Sequence, residues 1–131
     1  MREILFRGKR TSDGEWDGEW DGEWIEGTLF RLSSNLHPFI MLTDRYGEAY
    51  EVDSGTVGQF TGKTVKNGKV FDGDILKSID GIFLVRWDEE KSAFVMRFLE
   101  YPFETLYLEE IWDDAEIIGN IHDNPELLKE A

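Results

Sequence analysis

The chain has 131 residues, with 28 Asp and Glu against 14 Lys and Arg, nine Phe, five Trp, four Tyr and no Cys. This length predicts one domain spanning residues 1–131, since it supports a real hydrophobic core but not two ordinary domains. Without cysteine there is no disulfide and no thiolate metal site, and we expect a cytoplasmic protein. No apolar run approaches the roughly 18 residues of a membrane span, and no apolar stretch follows Met1 as in a signal peptide.

The net charge of −14 is distributed unevenly. Residues 13–26 hold seven carboxylates and no base, and residues 100–131 hold ten carboxylates with Lys129 as their only base. A field of this sign repels phosphate backbones and anionic lipids, so we expect neither nucleic-acid nor membrane binding. The basic cluster near the N terminus is too small to reverse this expectation; it comprises Arg2, Arg7, Lys9 and Arg10.

Period-two alternation of apolar and polar residues predicts a mainly β protein. The predicted strands, in chain order, are residues 3–9, 24–32, 39–43, 48–52, 58–61, 74–78, 82–87, 93–99 and 116–122. Asn67-Gly68 and Asp80-Gly81 predict type I′ turns centred on each pair, because these residues tolerate positive φ angles. With a polar turn at residues 88–91, they predict a three-stranded meander.

Helical signals are confined to the C-terminal third of the chain. Residues 106–112 are compatible with a short turn of helix, and Asn124-Pro125 predicts the start of a short C-terminal helix. Short strands with frequent turns indicate a small barrel, and Gly73-Asp74 is typical of the entry strand of an SH3-like one. The predicted fold is therefore an SH3-like or related β-barrel with additional N-terminal strands and a short C-terminal helix.

One tetrapeptide, Asp-Gly-Glu-Trp, occurs three times in succession over residues 13–24. In an extended conformation its carboxylates would line one face and its glycines and tryptophans the other, which makes a ribbon for a cationic or apolar partner. The candidate partner-binding residues are Glu15, Trp16, Glu19 and Trp20. The alternative is an expanded loop without function, since Gly and Asp are poor strand formers and the carboxylates repel one another.

The sequence contains no convincing catalytic or metal-binding motif. Thr61-Gly62-Lys63-Thr64 lacks the upstream glycine and the following helix of a phosphate-binding loop. The two histidines, His37 and His122, have no second ligand at the usual zinc spacing. Asp72-Gly73-Asp74 could chelate magnesium, and Asp74 could pair with Glu104 or Glu116 as acid and base. A turn in which Gly73 has positive φ and the Asp side chains accept backbone N–H groups is the favoured interpretation. We therefore expect no cofactor, no metal and no enzymatic activity.

Three blocks in order carry a family resemblance. They are the opening Arg2–Arg10 segment, the segment from Val57-Gly58-Gln59-Phe60-Thr61-Gly62 through Phe71-Asp72-Gly73-Asp74-Ile75-Leu76, and Glu116-Ile117-Ile118-Gly119-Asn120-Ile121-His122-Asp123-Asn124-Pro125-Glu126-Leu127-Leu128. With them the chain resembles the YopX family, whose members occur mainly in bacteriophages and prophages of Gram-positive bacteria. The resemblance implies a single Gly-Glu-Trp at the entry to the second strand, most readily Gly22-Glu23-Trp24, and it implies no catalytic residue.

Two classes of function follow from these observations. The first is a non-catalytic phage or prophage accessory protein that binds a host or phage protein and that could form homo-oligomers. A sharper version is an acidic mimic of nucleic acid that inhibits a DNA-binding protein. The second class, which the sequence favours less, is an enzyme that uses scattered carboxylates.

The apolar pattern also predicts a core. Gly73 should lie in a turn, and the residues expected to be buried are Ile75, Val85, Trp87, Phe94, Ile118 and Ile121. On that basis, truncating Trp87 to alanine should cost roughly 3 to 5 kcal/mol of stability.

Deleting residues 13–20 should leave the stability of the fold almost unchanged. The deletion shortens a loop, and loop-closure entropy varies only with the logarithm of loop length. Thermal unfolding measures this directly. A melting temperature lower by more than about 5 °C would show that the repeat is packed structure.

Overall fold

The structure, a computed structural model, describes residues 4–11, 23–33, 38–99, 105–108 and 113–129. The fold is mainly β, as the sequence predicts. The strands are β1 (Phe6–Lys9), β2 (Trp24–Ser33), β3 (Pro38–Thr43), β4 (Ala49–Glu51), β5 (Gly58–Val65), β6 (Gly68–Phe71), β7 (Asp74–Ser78), β8 (Gly81–Asp88), β9 (Ala93–Phe98), β10 (Thr105–Tyr107) and β11 (Glu116–Asn120), and the 3₁₀ helices are Ser54–Thr56 and Pro125–Lys129. Within the described ranges, no helix is long and apolar enough to cross a membrane.

The chain divides into two compact units, residues 1–59 and residues 60–131. Strand β5 begins in the first unit and ends in the second. Hydrogen-bonded neighbours follow the order β4-β3-β2-β1-β5-β6 in one sheet and β10-β9-β8-β7-β11 in the other. The assignment of the whole chain to one domain stays a prediction.

In the first unit, the residues after β1 connect both sides of the ladder formed by β1 to β4. The Arg10 N–H donates to the Glu23 carbonyl at 2.8 Å, and the Thr11 N–H donates to the Glu51 carbonyl at 3.0 Å. An isolated bridge pairs Arg10 with Val52, just beyond β4. One short segment therefore pairs with the start of β2 and with the end of β4, and the sheet is curled.

Two glycines in the first unit allow neighbouring residues to pack closely against the backbone. A Cβ on Gly8 would lie 3.1 Å from the Val52 side chain and 3.3 Å from that of Val57. A Cβ on Gly27 would overlap the carbonyl group of Thr43 on β3. Glycine at position 27 is therefore required by the close approach of the backbones, and a side chain at position 8 would force Val52 and Val57 to shift slightly.

The second unit contains the predicted meander β7-β8-β9, extended by β10 beside β9 and by β11 beside β7. Its buried cluster includes Phe83 and Phe98, whose ring centroids are 5.7 Å apart. The cluster comprises Val70, Leu76, Phe83, Val85, Phe94, Met96, Phe98, Leu108 and Ala115. Among the residues predicted to be buried, Ile75, Val85 and Phe94 are buried, whereas Ile118 and Ile121 are only half-buried.

Gly73 connects three parts of the second unit. Its φ of +94° lies in a region that other residues rarely adopt, and the prediction that it occupies a turn is confirmed. Its N–H donates to the Val85 carbonyl on β8 at 2.8 Å, and its carbonyl accepts the Ile121 N–H after β11 at 2.9 Å. Both of its backbone hydrogen-bonding groups are thus paired with segments distant in sequence.

The prediction of two type I′ turns is wrong by one residue. The loops are Lys66-Asn67 and Ile79-Asp80, and each is followed by the glycine that the prediction placed inside the turn. In the described ranges, Ser92 is the only non-glycine residue with positive φ, whereas Gly68 and Gly81 have φ of +151° and +136°. In each hairpin the positive φ occurs at the glycine that follows the two loop residues. A type I′ turn would instead need positive φ at both loop residues.

Three further assignments differ from the prediction. Strand β6 was not predicted, and it forms because its residues pair with β5. Leu106 and Tyr107, predicted as helical, lie in β10, where pairing with β9 overrides local preference. The predicted short C-terminal helix is the five-residue 3₁₀ helix Pro125–Lys129 and not an α-helix.

Trp87, predicted to be buried, is 40% exposed. It lies near the end of β8, where its ring meets the ring of Phe94 edge to face at 5.1 Å between centroids. The prediction is wrong because period-two alternation shows only which face of the sheet a side chain lies on. It does not show how far along the strand that face is covered by other residues.

Replacing Trp87 with alanine should therefore destabilise the protein by about 1 to 2 kcal/mol, less than a core truncation. Phe83→Ala is the matched aromatic truncation in the same strand, and it should cost about 3 to 5 kcal/mol because Phe83 is fully buried. Urea unfolding of both variants measures the difference. Equal losses would contradict the observed exposure of Trp87.

Gly73→Ala should destabilise the second unit by about 1 to 3 kcal/mol, since alanine disfavours this φ and a change of φ would disrupt the hydrogen bonds of Gly73 to Val85 and Ile121. Gly47→Ala is the control, because Gly47 has a similar φ of +86° and a Cβ there would have no atom within 4 Å. Chemical unfolding should show a larger loss for Gly73→Ala. Equal losses would mean that the contacts of Gly73 add nothing to backbone strain.

Candidate functional site

The predicted partner-binding residues Glu15, Trp16, Glu19 and Trp20 lie outside the described residues. The last tryptophan of the repeat, Trp24, lies within them and begins β2. This agrees with the strand entry that the sequence assigned to the third copy of the repeat.

Trp24 belongs to a basic-aromatic strip, which we define as Arg7, Lys9 and Trp24. Lys9 lies directly opposite Trp24 in the β1-β2 ladder, and Arg7 lies opposite Glu26. The Arg7 guanidinium carbon is 4.7 Å from the centroid of the Trp24 ring, and the Lys9 Nζ is 5.5 Å from it. Cations at these distances are attracted by the negative face of an indole ring. The strip is half-buried, so part of each side chain faces solvent.

Arg10 is separated from this strip. Its guanidinium carbon lies 5.0 Å from the centroid of the Tyr50 ring, and the alternation of β1 directs it away from the face that carries Arg7 and Lys9. Desolvation raises the pKa of Tyr50, and the carboxylates of Asp44 and Glu48 add to this effect. The described members of the N-terminal basic cluster therefore do not form one continuous basic surface.

The carboxylates of Asp72 and Asp74 hold the turn at Gly73. Asp74 is fully buried, and its Oδ2 accepts the Phe71 N–H at 2.8 Å. Asp72 Oδ1 accepts the Trp87 N–H at 3.2 Å and lies 3.2 Å from Arg86 Nε. The predicted structural turn is confirmed, with both carboxylates bonded to backbone N–H groups.

The proposed acid-base partners of Asp74 do not meet it in the described structure. Asp74 pairs with Asn120 at one end of the β7-β11 ladder, and Glu116 pairs with Lys77 at the other. Glu116 Oε2 instead lies 3.5 Å from Lys66 Nζ. The other candidate, Glu104, lies outside the described residues.

Asn120 organises the turn after β11. Its Oδ1 accepts the N–H groups of His122 and Asp123, each at 2.9 Å, and its Nδ2 donates to Asp123 Oδ2 at 3.1 Å. Asn124 reaches back, with its Oδ1 accepting the Asn120 N–H at 3.2 Å. A Cβ on Gly119 would lie 2.5 Å from that same Oδ1, so only glycine fits there. Within the C-terminal sequence block, Asn120, Asp123 and Asn124 thus form a hydrogen-bonded cap after β11.

Thr61-Gly62-Lys63-Thr64, which superficially resembles a phosphate-binding loop, lies inside β5. The register of β5 against β6 shifts between Phe60 and Thr64, and Gly62 has a φ of +91°. The Thr61 hydroxyl donates to the Val70 carbonyl at 2.8 Å and accepts the Lys63 N–H at 3.2 Å. Gly62 thus supplies the positive φ that a β-bulge in β5 requires.

The described residues contain no group of three or more His, Asp and Glu side chains that could hold a metal ion. The backbone of His122 is part of the Asn120 turn. The other histidine, His37, lies outside the described residues.

Sequence reasoning missed the role of Asn67. Its Nδ2 donates to the Ile117 carbonyl and its Oδ1 accepts the Ile117 N–H, both at 2.9 Å. The side-chain amide thereby pairs with β11 as a backbone peptide group of a neighbouring strand would. The local signal was an asparagine in a turn, but its partner is 50 residues away and could not be identified from the turn.

No curated protein matches the chain significantly. The family model described as YopX protein matches residues 6–129, which include the Gly73 turn, the Asn120 cap and the basic-aromatic strip. The chain belongs to the YopX family.

Proposed function

We propose that the chain is a non-catalytic protein-binding module that serves a phage or prophage in the bacterial cytoplasm. The observation that carries the proposal is the use of the polar side chains in the family blocks. Asp72, Asp74, Asn120 and Asn124 bind backbone groups of their own unit. These residues therefore stabilise the fold, and we place the partner-binding function on residues at the protein surface.

The basic-aromatic strip and the repeat support a protein partner. The repeat ends at Trp24, so the two features are continuous in sequence. Trp and Arg are the residue types that most often carry binding energy in protein interfaces. A partner with a cationic rim and an apolar pocket would suit the alternating carboxylates and indoles of the repeat.

A barrel of the SH3-like type belongs to the same proposal. Its support is the curled sheet of the first unit, in which Arg10 pairs with Glu23 before β2 and Thr11 pairs with Glu51 at the end of β4. Small closed barrels leave no long unpaired edge and use their surface and loops to bind.

The second candidate is an acidic mimic of nucleic acid. Exposed Asp113, Asp114 and Asp123 provide carboxylates near the C terminus. Among the described residues of the N-terminal basic cluster, Arg7 and Lys9 contact Trp24 whereas Arg10 contacts Tyr50, and this division argues against direct binding of nucleic acid. A mimic would bind a DNA-binding protein and would lose it to competing duplex DNA.

Affinity capture from a Gram-positive host lysate, with salt titration, tests the proposal. Wild-type protein should retain a specific partner, and deletion of residues 13–20 or the double variant Arg7→Gln/Lys9→Gln should release it. Lys77→Gln/Arg97→Gln is the matched control, because it removes two exposed charges in the second unit. The electrostatic contribution to the partner's affinity should fall as the salt concentration rises, because salt screens charge–charge attraction.

Three outcomes would contradict the proposal. They are equal loss of the partner in the control variant, retention of the partner by both test variants, and retardation of duplex DNA by the protein at low salt. Displacement of the captured partner by duplex DNA would select the mimic over the general binding module.

A further inference from the structure

Asn67 combines a reactive sequence context with a specific structural role. It is exposed in the two-residue loop between β5 and β6, and Gly68 follows it. Its side-chain amide is hydrogen-bonded to both the backbone N–H and the backbone carbonyl of Ile117 on β11. Strand β11 is at the margin of its five-stranded sheet, so Asn67 occupies a place where a further strand would pair.

We propose that Asn67 is a site of spontaneous deamidation, and that the modification opens the margin of β11. The backbone nitrogen of Gly68 attacks Cγ of Asn67, a C–N bond forms, and Nδ2 leaves as ammonia with the proton lost from Gly68. Water then adds to either carbonyl of the resulting succinimide and yields aspartate or isoaspartate. One water is consumed and one ammonia released, with no oxidant or reductant.

The other described asparagines are less suited to this reaction. Asn120 is buried, its amide is bonded to the following turn, and the branched residue Ile121 comes next. Asn124 precedes Pro125, which has no backbone N–H to lose. Gly68 has no side chain to hinder attack, so the structure singles out Asn67.

The fold sets the rate of the reaction. Attack by Gly68 requires the Asn67 side chain to leave Ile117, which breaks two hydrogen bonds at once. Gly68 itself is paired with Val65 in the β5-β6 ladder. Deamidation in the folded protein should therefore follow local opening of this contact, and it should be roughly tenfold or more slower than in the unfolded chain.

The product cannot restore the original contact. A carboxylate at position 67 has no N–H to donate, and it would set a negative oxygen against the Ile117 carbonyl. The new charge would also lie close to Glu116, which is now paired with Lys66. The Ile117 carbonyl thereby loses its partner, and repulsion between this carbonyl and the carboxylate weakens the remaining hydrogen bond from the Ile117 N–H.

Peptide mapping of the full chain, incubated at mildly alkaline pH in buffer and in urea, tests the proposal. We expect Asn67 to be modified before any other asparagine and to react more slowly in buffer than in urea. Equal rates in the two solvents, or earlier modification of another asparagine, would overturn it.

A second measurement tests the structural consequence. Asn67→Asp should accelerate hydrogen exchange at the Ile117 amide roughly tenfold, whereas Gln59→Glu makes the same amide-to-carboxylate change in the first unit and should not. Exchange at Ile117 that is the same in Asn67→Asp and wild type would overturn the link between deamidation and the margin of β11.

Discussion

The hydrogen bonding around Asp72-Gly73-Asp74 is the constraint on which the second unit depends. This turn supplies backbone or side-chain partners to Phe71 on β6, to Val85 and Trp87 on β8, and to Ile121 after β11. Buried peptide groups need such partners, because an unpaired one costs about as much as a lost hydrogen bond. A single turn therefore fixes where β6 ends, how β7 begins and where the chain returns after β11.

This constraint also gives a physical meaning to the family blocks. The central and C-terminal blocks are far apart in sequence, but the Ile121 N–H donates to the Gly73 carbonyl at 2.9 Å. Gly119 and Asn124 then shape the cap that follows β11. These two blocks describe how the second unit is joined together, whereas the strip and the repeat are the segments to which we propose that a partner binds.

Local sequence patterns predicted much of this fold and little of its tertiary detail. Strand β7 has the predicted bounds, since Gly-Asp marks its start and alternation its length. The loop positions were wrong because their determinants are distant: Asp114 accepts the Ile79 N–H at 2.7 Å, and Ile117 binds Asn67. Leu106 and Tyr107 were misassigned for a similar reason, because pairing with β9 decides their conformation.

The candidate site shows the same limit. The pairing of Trp24 with a strand entry followed from the sequence, but the positions of Arg7 and Lys9 beside its ring depend on the β1-β2 register. Composition identified the basic cluster and could not show that Arg10 contacts Tyr50 on the other side of the strand. The carboxylates of Asp72 and Asp74 were correctly interpreted as structural, because glycine between two Asp residues is a turn pattern with a known mechanism.

Native-state hydrogen exchange of an Asp72→Ala variant tests the central role of the Gly73 turn most directly. Asp72 Oδ1 accepts the Trp87 N–H, whereas the N–H groups of Phe71 and Ile121 are bonded to Asp74 and Gly73. If the turn is one cooperative unit, the amides of Phe71, Trp87 and Ile121 should all exchange faster by a similar factor. Acceleration confined to Trp87, with Phe71 and Ile121 unchanged, would contradict the account.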